Sequence, residues 1–232
     1  MAKADFPCFQ PSLMFFLDEL SRNNTRPWFQ ENKHRFEQDV QQPCLEFIRA
    51  FAPRLRKISP HFVASDRKVG GSLMRIYKDI RFSKDKRPYK TNVGMHFRHE
   101  LGKDVHAPGF YIHLAPDECF LGVGLWCPGS EPLGRIREAI VNHTAQWKRA
   151  RDNAKFRAEY DLSRTESLKT APRGYDKNHP LIDDLRLTSF TGMHAIEDDD
   201  VFGPSFIDRV QKSFAASKPF MKFLCDALGV PI

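Results

Sequence analysis

No Cys-x-x-Cys pair occurs in this sequence, and its five cysteines, Cys8, Cys44, Cys119, Cys127 and Cys225, are odd in number. That combination argues against a secreted disulfide framework and against a zinc ribbon. No apolar run approaches the roughly 20 residues that span a bilayer, so no membrane contact is expected. The opening MAKADFPCFQ has one early lysine and no apolar stretch, unlike a secretory leader. A cytoplasmic protein with reduced thiols is the expectation. Internal repeats, low-complexity tracts and flexible linkers are lacking too. Residues 1–232 are therefore expected to form one domain.

The common catalytic signatures are missing as well. Gly70-Gly71-Ser72 is not followed by the Gly-Lys-Ser/Thr of a phosphate loop. There is no Gly-x-Ser-x-Gly elbow and no cysteine in a nucleophile setting. Asp85-Lys86 matches half of a metal-nuclease signature but lacks its spaced acidic partner. Of the nine histidines, His96 and His99 lie three apart on an expected strand, which turns them to opposite faces. His34, His61, His106, His143 and His194 join no pattern. No metal site and no cofactor are expected.

What is present suits a protein that folds on its own core. The chain is 41% hydrophobic and 28% charged, with 20 phenylalanines to supply apolar area. At this length about 70% of the unfolded surface can be buried without a disulfide or metal.

The N-terminal third has helical periodicity. Ser12 is expected to cap a helix carrying Leu13, Phe16, Leu17 and Leu20, which Asn23-Asn24 ends. Thr25 and Pro27 start a second, with Trp28, Phe29, Phe36 and Val40 inward. Asn23, Asn24, Arg26 and Trp28 form a polar-aromatic group at that junction, explained by capping and packing or by a ligand contact. Pro43 opens a third helix with Leu45, Ile48, Ala52 and Leu55, and Pro53 is expected to kink or end it.

The period then changes to two. Residues 61–66, 70–78, 92–98, 109–115 and 119–126 are expected to be extended, the last two joined as an antiparallel hairpin. Val93, Met95, Phe97, Phe110, Ile112, Leu114, Leu121, Val123 and Leu125 occupy one face. Gly94, His96, Arg98, Tyr111, His113, Gly122 and Gly124 occupy the other, where glycines leave room for a pocket.

Ser130 and Pro132 then start a helix with Leu133, Ile136, Ile140 and Trp147 inward. A polar stretch with the loop 171–176 follows. Phe190–Ile196 reads as a strand and Asp198-Asp199-Asp200 as an acidic turn. Pro204 and Pro219 precede two last helices, the second closed by Gly229. The fold class is α+β: a central, mostly antiparallel sheet over about residues 61–126, flanked by N- and C-terminal helices.

Charge is concentrated in one place. Arg67, Lys68, Arg75, Lys78, Arg81, Lys84, Lys86, Arg87 and Lys90 face only Asp79 and Asp85, an excess as large as the +7 of the whole chain. Such a field attracts an anionic partner. The segment Arg75-Ile-Tyr-Lys-Asp-Ile-Arg-Phe-Ser-Lys-Asp-Lys-Arg-Pro-Tyr-Lys90 resembles the bacterial domain of unknown function 2461 family. That family carries Arg-x-x-Arg-Asp-x-Arg-Phe followed by Asp/Asn-Lys-x-x-Tyr. Arg75, Asp79, Arg81, Phe82, Asp85, Lys86 and Tyr89 match, whereas Lys78 stands where the family has Arg and lacks its planar fork. The resemblance extends to Asn23-Asn24 with Trp28-Phe29, to the strand 109–114, and to Pro172-Arg173-Gly174-Tyr175 with His179-Pro180. It implies a fold and a site location but no activity.

Two readings of the motif stand side by side. Asp79 and Asp85 each bridge two cations in an internal salt-bridge lock, or Arg75, Lys78, Arg81, Lys86, Tyr89 and Lys90 clamp an anion, joined in one cleft by His96, Arg98 and Tyr111. The expected partner is a phosphorylated, nucleotide-like metabolite or nucleic acid. For nucleic acid, Tyr77, Phe82, Tyr89 and Phe97 supply stacking surfaces. The alternative is an enzyme acting on a phosphorylated or carboxylated small molecule. His113, His179, Asp79 and Asp85 are then the candidate catalytic groups, with Tyr89 as a further proton donor. Asp176 is placed to orient His179. A protein-interaction scaffold is the third reading.

Overall fold

A computed structural model describes residues 6–81, 83–102 and 107–232, so Phe82 of the motif and His106 lie outside the described residues. The N-terminal helices are α1 (Ser12–Arg22), α2 (Arg26–Glu31) and the single turn α3 (Lys33–Arg35). A π-helical turn, Phe36–Gln41, then runs directly into α4 (Gln42–Ile58). Pro11, not Ser12, occupies the cap of α1, with no side-chain hydrogen bond. At α2 the Thr25 hydroxyl accepts from the Trp28 amide, as expected of a cap. Pro53 does not end α4, which continues to Ile58 with Pro53 on its exposed side.

The sheet is five-stranded in the order β1-β2-β3-β5-β4, with every pair antiparallel. Its strands are β1 (Val93–Arg98), β2 (Gly109–Ala115), β3 (Glu118–Leu125), the two-residue β4 (Asp161–Leu162) and β5 (Phe190–Ala195). The two expected strands at 61–66 and 70–78 are not regular strands. They meet β1 and its flanks at isolated bridges, Phe62 to His99 and Leu73 to Met95. Backbone bonds from Met74 to Gly94 and from His96 to Ser72 hold the second against β1. Irregular backbone at a sheet edge is common, because pairing on only one side tolerates bends.

The C-terminal half adds α5 (Ser130–Asn142), α6 (Thr144–Arg151), α7 (Ala154–Glu159), α8 (Ile182–Leu185), α9 (Asp198–Phe202), α10 (Phe206–Ala216) and α11 (Lys218–Leu228). Trp147 therefore belongs to α6, not to the helix of Ile136 and Ile140, because the chain breaks at His143. The acidic run 198–200 is not a turn but the first turn of α9, where negative charge suits the helix dipole. Gly229 closes α11 in the left-handed conformation, φ +68°.

The alternating positions Met95, Phe97, Phe110, Ile112, Leu114, Leu121 and Leu125 are fully buried. Phe51 of α4 packs on Phe97 (5.2 Å), and Phe214 of α10 packs on Phe110 (4.8 Å). Helices thus cover one face of the sheet. The other face carries the complementary residues of each strand, and it is there that the chemistry collects.

Candidate functional site

Strand register arranges the second face in rows. Gly94, His113, Phe120 and Ala195 form one row; His96, Tyr111, Gly122 and Met193 the next; Arg98, Gly109, Gly124 and Thr191 the third. Glycine lets two rings, His96 and Tyr111, approach this face closely. A Cβ on Gly109 would sit 2.2 Å from His96 Nε2, and one on Gly94 would sit 2.6 Å from the Tyr111 hydroxyl. Gly122 differs. A Cβ there would make only ordinary contacts, the nearest at 3.5 Å, so a side chain can begin there without a clash.

Two hollows meet at His96. The one over the sheet, about 370 Å³, is walled by Met74, Tyr111, His113, Phe120, Trp126 and Met193. The other, about 450 Å³, lies between residues 63–72 and 96–102 and is polar, with Ser65, Arg67, Ser72 and Arg98 in its lining. Asp66 and Glu100 line it too, but Asp66 is bound by Arg49 (2.9 Å) and Glu100 by His61 (2.6 Å).

His96 is 9% exposed, and its Nδ1 is buried without a hydrogen-bond partner. Burial, helped by the nearby Arg98 charge, lowers its pKa to about 4, so the imidazole is neutral at pH 7. The Tyr111 hydroxyl lies 3.2 Å from His113 Nδ1. Burial raises Tyr111 to about 12 and lowers His113. The rings of His113 and Phe120 stack at 4.6 Å, nearly parallel. Trp126 stands at the rim, its indole N–H donating to Glu166 (3.3 Å). Glu166 also accepts from the Ser189 hydroxyl, which in turn accepts from the Cys127 amide (2.9 Å). Cys127 has a positive φ of 43°, and this local network holds the turn after β3.

The basic motif forms a separate strand–loop–strand unit, bridged at Tyr77 and Tyr89. Asp85 does bridge two cations, Lys78 (2.7 Å) and Arg87 (2.8 Å). Asp79 is clasped by the side chain and backbone of Arg81, which lower its pKa to about 2, with a smaller influence from Arg75. The Arg87 and Lys78 hydrogen bonds likewise hold the Asp85 carboxyl far below the usual range. Among the described residues no carboxylate lies within ion-pair distance of Arg67, Lys68, Arg75, Lys84, Lys86 or Lys90. Lys86 donates to the Ile80 carbonyl (3.0 Å). Lys90 is half-buried, and desolvation followed by repulsion from Arg75 lowers its pKa.

Of the residues singled out from sequence, His96, Tyr111 and His113 come together in the hollow over the sheet, and Arg98 lines its neighbour. Arg75, Lys78, Arg81, Lys86, Lys90, Asp79 and Asp85 line neither hollow among the described residues. Tyr89 is 3% exposed and stacks on Phe29 at 4.1 Å, so its ring is part of the core. Its backbone is held at both polar atoms by the Asn24 side chain (3.0 Å each). His179 lies in the loop before α8 and lines neither hollow, its Nδ1 accepting from the Leu181 amide (3.1 Å). The Asp176 carboxylate accepts from the Asn178 amide instead of orienting the imidazole. Sequence reading missed Met74, Trp126, Thr191 and Met193. Their only signal was strand register, which places Thr191 and Met193 beside Gly124 and Gly122.

The molecule is thus an α+β protein with helices on one face of an antiparallel sheet and paired hollows on the other. It belongs to the family described as a conserved hypothetical protein (DUF2461), whose model matches residues 12–223. Comparison with curated proteins and with solved structures gave no match. Among the described residues no helix is long and apolar enough to cross a membrane, and no group of three or more His, Cys, Asp or Glu is arranged to hold a metal.

Proposed function

We propose that this protein binds an anionic, phosphate-bearing small molecule through cations of the 67–90 segment and the polar hollow beside it. The observation that carries this reading is the incomplete self-pairing of the segment. Its two carboxylates hold Lys78, Arg81 and Arg87, and among the described residues no carboxylate lies within ion-pair distance of the other six cations. Lys90 is half-buried, and the Arg75 charge adds its repulsion to that desolvation. An arriving phosphate would relieve that repulsion, and charge-assisted bonds to it are worth about 1.5–3 kcal/mol each. Three such bonds, about 4.5–9 kcal/mol together, correspond to affinities from roughly millimolar to micromolar.

Calorimetric titration with ribose 5-phosphate at low and moderate salt tests the proposal. Binding is expected to weaken with salt and to fall at least tenfold in the Arg75→Ala/Lys90→Ala double variant. Heat-silent titrations at low salt would remove the reading. A single-stranded oligonucleotide bound much more tightly than the sugar phosphate would replace the small molecule with nucleic acid.

Catalysis on the same ligand is a second reading, favoured by the Tyr111–His113 contact beside the buried His96 ring. His113→Gln would then spare binding and abolish turnover. If no phosphate ester is consumed by the wild type, this second reading falls.

A further inference from the structure

We infer that the hollow over the sheet is the seat of an uncharged planar heteroaromatic ring, so that the ligand is a nucleotide: base on the sheet face, phosphate toward the cations. The phosphate half rests on the reading above; the ring half stands on the geometry of the hollow itself.

The lining argues for the ring by what it contains. Among its described residues there is no Asp, Glu, Lys or Arg, so a charged group would enter unpaired. Aromatic faces are supplied by Tyr111, by Phe120 in its stack with His113, and by the half-exposed Trp126 at the rim. Met74 and Met193 give polarizable contacts that adapt to a ring edge. A volume of about 370 Å³ falls in the range of small-ligand sites and suits one ring system.

A purely apolar ring would leave the polar groups of the lining unmet. Tyr111, His113 and Thr191 line the hollow, and His96 stands in the wall common to both hollows. Hydroxyl and imidazole groups donate and accept hydrogen bonds. A heteroaromatic edge with ring nitrogens or exocyclic groups matches such a lining; a hydrocarbon ring does not. The polar hollow on the other side of His96, with Arg67 and Arg98, extends the site toward the basic segment.

Calorimetry with the four common nucleoside monophosphates, their nucleosides and ribose 5-phosphate tests the assignment. At least one nucleotide should bind tenfold or more tightly than ribose 5-phosphate. Gly122→Leu should fill the hollow: no strained φ is involved, and a Cβ there makes only ordinary contacts. It should erase the nucleotide's advantage while leaving ribose 5-phosphate binding unchanged. Trp126→Ala, at an exposed position, gives the same test if Gly122→Leu fails to fold, with an expected loss of threefold or more for nucleotides alone. If no nucleotide outperforms ribose 5-phosphate, the ring seat is wrong and the anion reading survives. If nucleosides bind and ribose 5-phosphate does not, the anion reading is wrong and the ring seat survives. If nothing binds, both are overturned.

Discussion

His96 joins the fold to its chemistry most directly. Its ring rests on Gly109 and its burial lowers its pKa to about 4, against an unfolded value near 6.5. Between those values the unfolded chain binds more protons than the native one. Stability is therefore full above about pH 6.5 and declines as the pH falls toward 4. The expected loss is about 3 kcal/mol, with His113, also lowered by burial, acting in the same direction. Urea denaturation from pH 7 to pH 4 should show this slope in the wild type and a much shallower one in His96→Gln. Equal slopes would mean that the imidazole is not desolvated. The His96 position on the non-core face was legible from alternation alone. Its missing partner was not, because a hydrogen-bond deficit depends on residues distant in the chain.

At the level of elements, Asn24 decides how the basic segment sits. Its amide carries out both halves of a backbone pairing, donating to the Tyr89 carbonyl and accepting from the Tyr89 amide. Asn24→Ala should cost about 1–3 kcal/mol, because two buried backbone groups lose their partner. Thermal denaturation measures it, and a change smaller than a few tenths of a kcal/mol would show that water replaces the amide. Sequence reading placed Asn24 at a helix junction and explained it by capping and packing or by a ligand contact. The cap is Thr25, and the longer-range bond to residue 89 has no local signature. Elements with clear periods, α1, β1, β2, β3 and β5, were legible for that reason. The segment 61–78 was not, because alternation predicts extended backbone without saying whether a neighbour pairs along its length. The start of α6 was read as a continuation of α5 through Trp147, and α7 was hidden in a polar stretch where Phe156 is its buried residue.

For the whole molecule, one buried charge ties remote parts together. Asp184 of α8 is 1% exposed and accepts from the Trp147 indole (2.7 Å), from Arg151 and from Arg164 (2.7 Å). These partners come from α6 and from the loop after β4. Asp184→Ala should cost about 3 kcal/mol, the lower end for breaking a buried pair, since Arg164 is half-exposed. Chemical denaturation reads it directly; a loss below about 1 kcal/mol would mark the cluster as incidental. Nothing in the sequence set Asp184 apart from its neighbour Asp183, which is mostly exposed.

The margins of the sheet carry a different consequence. One outer strand is only two residues long, and beyond β1 the backbone of 62–63 and 72–74 already occupies hydrogen-bonding positions before bending away. Neither rim therefore offers a long, flat template on which another copy could add a strand. Crowded or heated samples should sooner expose their apolar helices than stack edge to edge into fibres.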